Sequence, residues 1–231
     1  MARINKSELT KTEIVGVASD LFLKKGYSNT SVKAISDKLD MSTGNLTFYF
    51  PTKENLLAEL VDIMCDFQWQ VMKKEADEGT SSILALCLEL TAMASMCEQN
   101  EIAKDFYISA YSSPLALDII RRNDVKRAKD VFAKYCSDWT DEQFAEAEIL
   151  VSGIEYATLM TTGDSVSLET RIAGAINNIL SIYRVPEEIR KIKISKVFNI
   201  DYHGVGHRVF EDFKKYVEEA NEKAFIALLK S

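Results

Sequence analysis

The 231-residue sequence has little material for turns, with only nine glycines and three prolines. Such a chain cannot supply the many tight reversals of a β-sandwich or barrel, so long helices are expected. It also lacks any apolar run near the roughly 18–20 residues that span a bilayer. Met1 to Thr10 holds no apolar signal core. A soluble, cytoplasmic protein with no membrane partner is expected. The cysteines, Cys65, Cys87, Cys97 and Cys136, form no C-x-x-C pair, which points to buried free thiols acting as small hydrophobes. There is no Gly-rich phosphate loop, G-x-S-x-G elbow or H-E-x-x-H, and no spacing singles out a catalytic pair of acids. His203 and His207 stand four apart, as ligands on a helix would, with Asp201 nearby. Gly204 and Gly206 lie between them, and a helix-breaking polar loop accounts for the same residues. No metal, no cofactor and no enzymatic activity are expected.

Charge is unevenly spread. The net charge is −7. Residues 1–55 carry eight Lys/Arg against six Asp/Glu, a net of +2, and the remainder carries 20 against 29, a net of −9. Only the N-terminal quarter suits a phosphate surface, and affinity for phosphate depends on local cations rather than on the chain total.

Apolar periodicity of 3.6 residues runs through the whole chain, and no strand-length alternation or repeat interrupts it. A first helix is expected from about Ser7 to Lys25, with Thr10 and Glu13 in capping-box spacing and Gly26 as its left-handed stop. A short helix follows Thr30 as N-cap. Asp40-Met41 makes a corner, and Ser42 caps a two-turn helix from Thr43 to about Phe48. Pro51 breaks the chain, and Thr52 caps a long fourth helix reaching about Asp77, ended by Glu78-Gly79-Thr80-Ser81. Further helices are expected over 81–98, 101–112, 114–135, 141–162 and 168–184, with a Thr140–Gln143 capping box and Ser167 as caps of the last two and Gly163 and Pro186 as stops. One or two amphipathic helices should fill 187–231, broken around His203-Gly204-Val205-Gly206.

The informative segment is Gly26 to Leu57, GYSNTSVKAISDKLDMSTGNLTFYFPTKENLL. Its two-turn helix offers a single core anchor, Leu46. Ser42, Thr43, Asn45 and Thr47 are short and polar and can reach base edges without steric cost. Gly44 permits close approach, and the Tyr49 hydroxyl can bond phosphate. The helices opened by Ser42 and Thr52 present free N–H groups that favour phosphate. Lys53, a cation in the first turn of a helix, is unfavourable there unless it faces a phosphate.

This segment resembles the DNA-binding domain of the tetracycline-repressor (TetR) family. The resemblance covers about residues 7–60 and rests on Ala18-x-x-Leu21-Phe22, Gly26-Tyr27, Thr30-Ser31-Val32, Ile35, Ser42-x-Gly44-x-Leu46 and Tyr49-Phe50-Pro51-Thr52-Lys53-Glu54-x-Leu56. It implies an all-α fold: a three-helix helix-turn-helix domain over 1–52, then a larger helical ligand-binding and dimerisation domain over 53–231. It implies that Thr30 and Tyr49 hold phosphates, that Thr43, Gly44, Asn45, Thr47 and Phe48 lie in or along the major groove, and that Lys53 meets the DNA backbone. Asp40 stands where the family commonly has glycine, Thr47 where it has tyrosine, and Phe48 where it has histidine.

A two-turn reading helix covers few base pairs, so a homodimer on a palindromic operator is expected. The candidate interface is the helix pair carrying Ile149, Gly153, Ile154, Ala157, Ile172, Ala175, Ile176, Ile179 and Tyr183, which in the family forms a four-helix bundle with its twofold mate. The resemblance further implies a cavity for a small-molecule effector. Trp69, Met93, Met96, Phe106, Tyr107 and Tyr111, with the polar interruptions Glu155 and Tyr156, are its candidate lining. Two alternatives stand beside this repressor reading. One is a helix-turn-helix regulator without ligand, or controlled by a protein partner docking on the Arg184–Lys196 stretch; the other is a helical enzyme.

Overall fold

The computed structural model describes residues 6–75, 83–162 and 166–230, and no strand occurs among them. The helices are α1 (Lys6–Lys25), α2 (Val32–Lys38), α3 (Thr43–Tyr49), α4 (Lys53–Glu75), α5 (Ile83–Gln99), α6 (Glu101–Ser112), α7 (Pro114–Phe132), α8 (Asp141–Met160), α9 (Leu168–Ile182), α10 (Glu187–Phe198) and α11 (Tyr202–Lys230). The expected stops at Glu78–Ser81 and at Gly163 lie outside the described residues.

The N-terminal unit is held by Ile14, Ala18, Leu21 and Phe22 of α1, Ile35 of α2, Leu46 of α3 and Leu56 and Leu57 of α4, all buried. Gly26 closes α1 at φ +91°, a conformation open to glycine at no steric cost. Asp40 takes the corner between α2 and α3 at φ +51°, within the range that Asp tolerates. Two caps differ from expectation. Thr10 lies inside α1, where its hydroxyl donates to the Lys6 carbonyl (3.0 Å), because the helix already runs from Lys6. Ser31, not Thr30, caps α2 by accepting from the Ala34 N–H (3.1 Å). Ser42, Ser167 and the Thr140–Gln143 capping box act as expected. Thr52 and Asn55 form a reciprocal cap at the start of α4: the Thr52 N–H donates to Asn55 Oδ1 (3.0 Å) and the Asn55 N–H to Thr52 Oγ1 (3.4 Å).

In the body, α7 ends three residues early, at Phe132, and the chain turns through 133–138. The stop of α9 is Arg184 in the left-handed region (φ 55°), two residues before Pro186. The Val185 N–H returns to the Leu180 carbonyl (2.9 Å), and Arg184 is held by Asp138 (2.7 Å).

The C-terminal segment is corrected most. The break expected at 203–206 lies at Asn199–Asp201, and His203 to Gly206 are helical within α11. Asp201 caps α11 by accepting from the Gly204 N–H (2.9 Å), and His203 Nδ1 meets Ser95 Oγ and Gln99 Nε2. Gly206 is required by packing: a Cβ there would lie 2.8 Å from the Ala92 carbonyl oxygen and 3.0 Å from Met96. α11 thereby lies close on α5, and it continues along α4 and α1, tying the body to the N-terminal unit. Gly206→Val should cost about 1–3 kcal/mol of stability, the usual range for overpacking, measured as a lower urea midpoint at unchanged slope. A midpoint equal to the parent would show that α11 does not sit close on α5.

Candidate nucleic-acid interface and body cavity

α3 is seven residues long and contributes one fully buried side chain, Leu46, at 1% exposure. Burial of such a side chain is worth about 1.5–3 kcal/mol, enough to pin so short a helix to α1 and α2. Everything else on it faces outward or sits half-buried. Ser42, Thr43, Gly44 and Asn45 are exposed, Thr47 and Tyr49 are half-buried, and Phe48 is 79% exposed. A Cβ added at Gly44 would meet only the Ser42 hydroxyl, at 3.9 Å, so another surface can approach the backbone closely. The Thr47 hydroxyl donates to the Thr43 carbonyl (3.0 Å).

Two residues assigned to phosphate sit elsewhere. Thr30 is 2% exposed. Its hydroxyl donates to the Gly26 carbonyl (2.8 Å) and its N–H to the Tyr27 carbonyl (3.1 Å), so both donors are spent inside the turn. Lys53 reaches back to the same turn. Its ammonium donates to the Tyr27 and Thr30 carbonyls (2.9 and 3.0 Å) and lies 4.0 Å from the centre of the Tyr27 ring. Partial burial holds its pKa below the ordinary lysine range, with Asp105 opposing. The first-turn cation that pointed to phosphate is thus satisfied by carbonyls and a ring.

Asp105 on α6 completes this arrangement by accepting from the Ser28 N–H (2.9 Å). The turn between α1 and α2 is therefore tied to α4 by Lys53 and to α6 by Asp105. Asp105→Ala should speed amide exchange at Ser28 by about tenfold, the loss of roughly 1.4 kcal/mol expected for one charge-assisted hydrogen bond at a partly wet site. Unchanged exchange at Ser28 would show that the contact does not hold the turn.

The body encloses a cavity of about 60 Å³ between α4, α5, α6, α7, α8 and α9. Of the candidate ligand residues, Met93, Tyr111 and Glu155 line it, whereas Trp69, Met96, Phe106, Tyr107 and Tyr156 do not. Trp69 is half-buried beside the Arg127 guanidinium, 5.0 Å from its ring. Met96 lies under Gly206. Phe106 packs on Phe213, and the Tyr107 hydroxyl accepts from Gln68 (2.8 Å). Tyr156 is half-buried.

What the sequence reading missed is a cluster of charge: Glu89 of α5, Asp124 and Arg127 of α7, and Glu148 of α8 all line the cavity. Arg127 donates to both Glu89 oxygens (3.1 and 2.9 Å) and to Asp124. Burial pushes Glu89 above the ordinary carboxylate range, with Arg127 pulling the other way. The signal was present in Glu89, a lone charge inside the apolar run LALCLELTAMASM.

The candidate interface set divides. On α8, Ile149 (55%), Leu150 (57%) and Met160 (47%) are exposed large hydrophobics, and Gly153 and Ala157 are exposed beside them. A Cβ at Gly153, or at Gly174 on α9, would meet nothing within 4 Å. Ile154 and Ile179 are half-buried. Ile172, Ala175, Ile176 and Tyr183 are buried within this chain, where they pack as core. A helical apolar stripe has the same spacing whether it meets its own chain or a partner, so the periodicity could not separate the two cases.

A family model described as "Bacterial regulatory proteins, tetR family" matches residues 14–60. The HTH-type transcriptional regulator QacR of Staphylococcus aureus (strain Mu50 / ATCC 700699) is 42% identical over 65 residues, 28% of this chain and 34% of QacR. The uncharacterized HTH-type transcriptional regulator YuxN of Bacillus subtilis (strain 168) is 23% identical over 221 residues, 93% of this chain and 66% of YuxN. The chain thus spans about a third of the first relative and just under two thirds of the second. Among solved structures, a gamma-butyrolactone receptor (ArpA-like protein) matches at 20% identity and TM-score 0.40, over 90% of this chain and 100% of that one. CprB from Streptomyces coelicolor, in complex with its operator sequence, matches at 22% identity and TM-score 0.43, over 85% and 98%.

Proposed function

We propose that the chain is a regulator of the tetR family, whose model matches residues 14–60, and that it is a ligand-gated transcriptional repressor, binding a palindromic operator as a homodimer and released by a small molecule. The observation that carries the reading is α3. Its one buried residue fixes it, and Thr43, Gly44, Asn45 and Phe48 are left uncovered on a helix too short to serve as core. Of the family-implied contacts, those of α3 and Tyr49 are retained. Thr30 and Lys53 are reassigned to the support of the turn behind it.

The twofold partner is a second copy seated on α8, through Ile149, Leu150, Gly153, Ala157 and Met160. Open space in front of Gly153 and Gly174 supports close approach of α8 and α9 to their mates. The start of α4 at Lys53 supports a boundary near residue 52 between the DNA-binding and ligand-binding parts.

Control follows from α6. Tyr111 lines the cavity and Asp105, six residues earlier, holds Ser28. A ligand that favours a wider cavity shifts α6 and with it the turn that supports the reading head, lowering operator affinity by its differential affinity for the two states. A regulator controlled by a protein docked on Arg184–Lys196 is less well supported, because Arg184 pairs with Asp138, Lys191 with Glu187, and Arg190 with Asn177.

The test is a mobility shift with DNA from upstream of the protein's own gene, combined with sedimentation at micromolar concentration. A dimer that retards this DNA against excess competitor supports the reading, and a stable monomer or sequence-independent binding overturns it.

A further inference from the structure

The cavity carries more carboxylate than its cations neutralise. Arg127 is committed to Glu89 and Asp124. Arg121, on the same helix, donates to Ser152 Oγ (2.9 Å). Glu148 and Glu155 have no ion pair among the described residues; each is met by a tyrosine hydroxyl, Tyr183 on Glu148 and Tyr111 on Glu155 (2.9 Å). Glu148 is 3% exposed, and its second oxygen, Oε2, has no hydrogen-bond partner. A buried carboxylate oxygen left unpaired is costly, and its persistence here calls for a partner that the chain does not supply.

The two glutamates stand seven residues apart on α8, on one face and about 10.5 Å apart along the axis. The Tyr111, Tyr183 and Phe132 side chains line the same space, with Leu90, Met93, Ile176 and Leu180 as apolar wall. An anion would face two uncompensated acids. A neutral ligand with a donor could pair with Glu148 Oε2 but would leave both acids without a counter-charge. A bare metal ion has no suitable donor set, since no group of three His, Cys, Asp or Glu side chains fit to hold one occurs among the described residues.

We propose that the effector of this cavity is an organic cation, an amine or quaternary ammonium on an apolar framework, whose positive centre is taken by Glu148 and Glu155 against the rings of Tyr111, Tyr183 and Phe132. The proposal rests on the ligand-gated reading above and names its ligand class. Aromatic faces and carboxylates together are the two groups that stabilise a desolvated cation. The cavity, at about 60 Å³, is smaller than such a framework. Its entry turns the flexible Met93 side chain, which supplies the widening that repositions α6.

Binding of this kind displaces protons. Burial raises Glu148 to about 8 and Glu155 well above the usual carboxylate range, so at neutral pH the empty site is protonated where the cation is to sit. The other groups facing them are Cys65 on α4, Glu89 on α5, Tyr111 on α6, Arg121, Asp124 and Arg127 on α7, and Tyr183 at the end of α9. Cys65, Tyr111 and Tyr183 are pushed further from ionisation by burial and stay neutral in this range. Affinity for a cation should therefore rise with pH toward 8, by up to about tenfold per unit for each proton released.

The experiment is calorimetric titration of the full chain, without DNA, with phenyltrimethylammonium and its neutral isostere tert-butylbenzene, at pH 6.5 and 8.0. The expected result is binding of the cation about tenfold or more tighter than the isostere, strengthened at the higher pH. That preference should be lost in Glu148→Gln and Glu155→Gln, whose amides keep the tyrosine contacts and the fold. Equal or tighter binding of the isostere, a preference that survives both variants, or no binding of either compound overturns the proposal. A cation that binds as expected but leaves operator affinity unchanged instead overturns the ligand-gated reading and leaves the site standing, so the two failures are distinguishable.

Discussion

Phe48→Asp should abolish specific operator binding, lowering affinity by about 100-fold, while the protein keeps its fold. Phe48 is 79% exposed and touches Tyr49 edge-on at 5.3 Å between ring centres, so the monomer gains little from it. Substitutions at such surface positions stay within about 0.5 kcal/mol, to which a carboxylate near a helix C-terminus adds roughly 0.3–1 kcal/mol. On DNA the same change removes an apolar contact to a base edge and sets a negative charge among phosphates. Each base contact is worth about 1–3 kcal/mol, and the dimer loses it twice. Phe48→Ala, which removes the contact without the charge, should cost about 30-fold, the loss of roughly 1 kcal/mol from each half of the dimer. A gel-shift titration with a thermal melt of each variant checks both. Operator affinity within threefold of the parent for Phe48→Asp would place α3 away from the DNA.

The largest effect on stability is expected at Arg127. Its guanidinium, 12% exposed, is the cation shared by Glu89 and Asp124 at 10% and 15% exposure. Arg127→Met leaves two acids buried without a counter-charge, which costs about 3–5 kcal/mol when one partner of a buried pair is removed. The sign of the pH dependence follows from Glu89. Burial already raises its folded-state pKa above the unfolded value, and loss of Arg127 raises it further. Protonation then favours the folded state, so the deficit should shrink as pH falls from 8 toward 5. Adding Glu89→Gln to Arg127→Met should recover part of the loss. Urea unfolding at pH 8 and pH 5 reads both. A deficit under 1 kcal/mol, or one that grows on acidification, would show that the cluster is open to water.

Helix positions were legible in the sequence because caps and stops are local. Gly26, Ser42, Ser167 and the Thr140–Gln143 box each act within one turn of chain, and the outward face of α3 could be read from Leu46 being its only apolar anchor. What failed was decided by distant neighbours. Gly206 read as a breaker because nothing local shows that α5 lies against α11 closely enough to demand glycine, and Gly204 because the Asp201 cap that crowds it was not foreseen. Lys53 read as a phosphate ligand because the Tyr27 and Thr30 carbonyls that hold it are more than 20 residues away. The Met and aromatic residues first assigned to the cavity were chosen by type, and most of them are core. The acids and the arginine that do line it, Glu89, Asp124, Arg127 and Glu148, converge from three helices, which no window along the chain can reveal.

The central claim is that α3 reads DNA twice per assembly. Selection of bound duplexes from random-sequence DNA tests it most directly. Two α3 helices related by a twofold axis should enrich an inverted repeat whose half-site centres lie about 10–10.5 base pairs or a multiple of this apart, and the Asn45→Ala/Phe48→Ala variant should enrich nothing. A single unsymmetrical site, or the same repeat recovered by the variant, would contradict the claim.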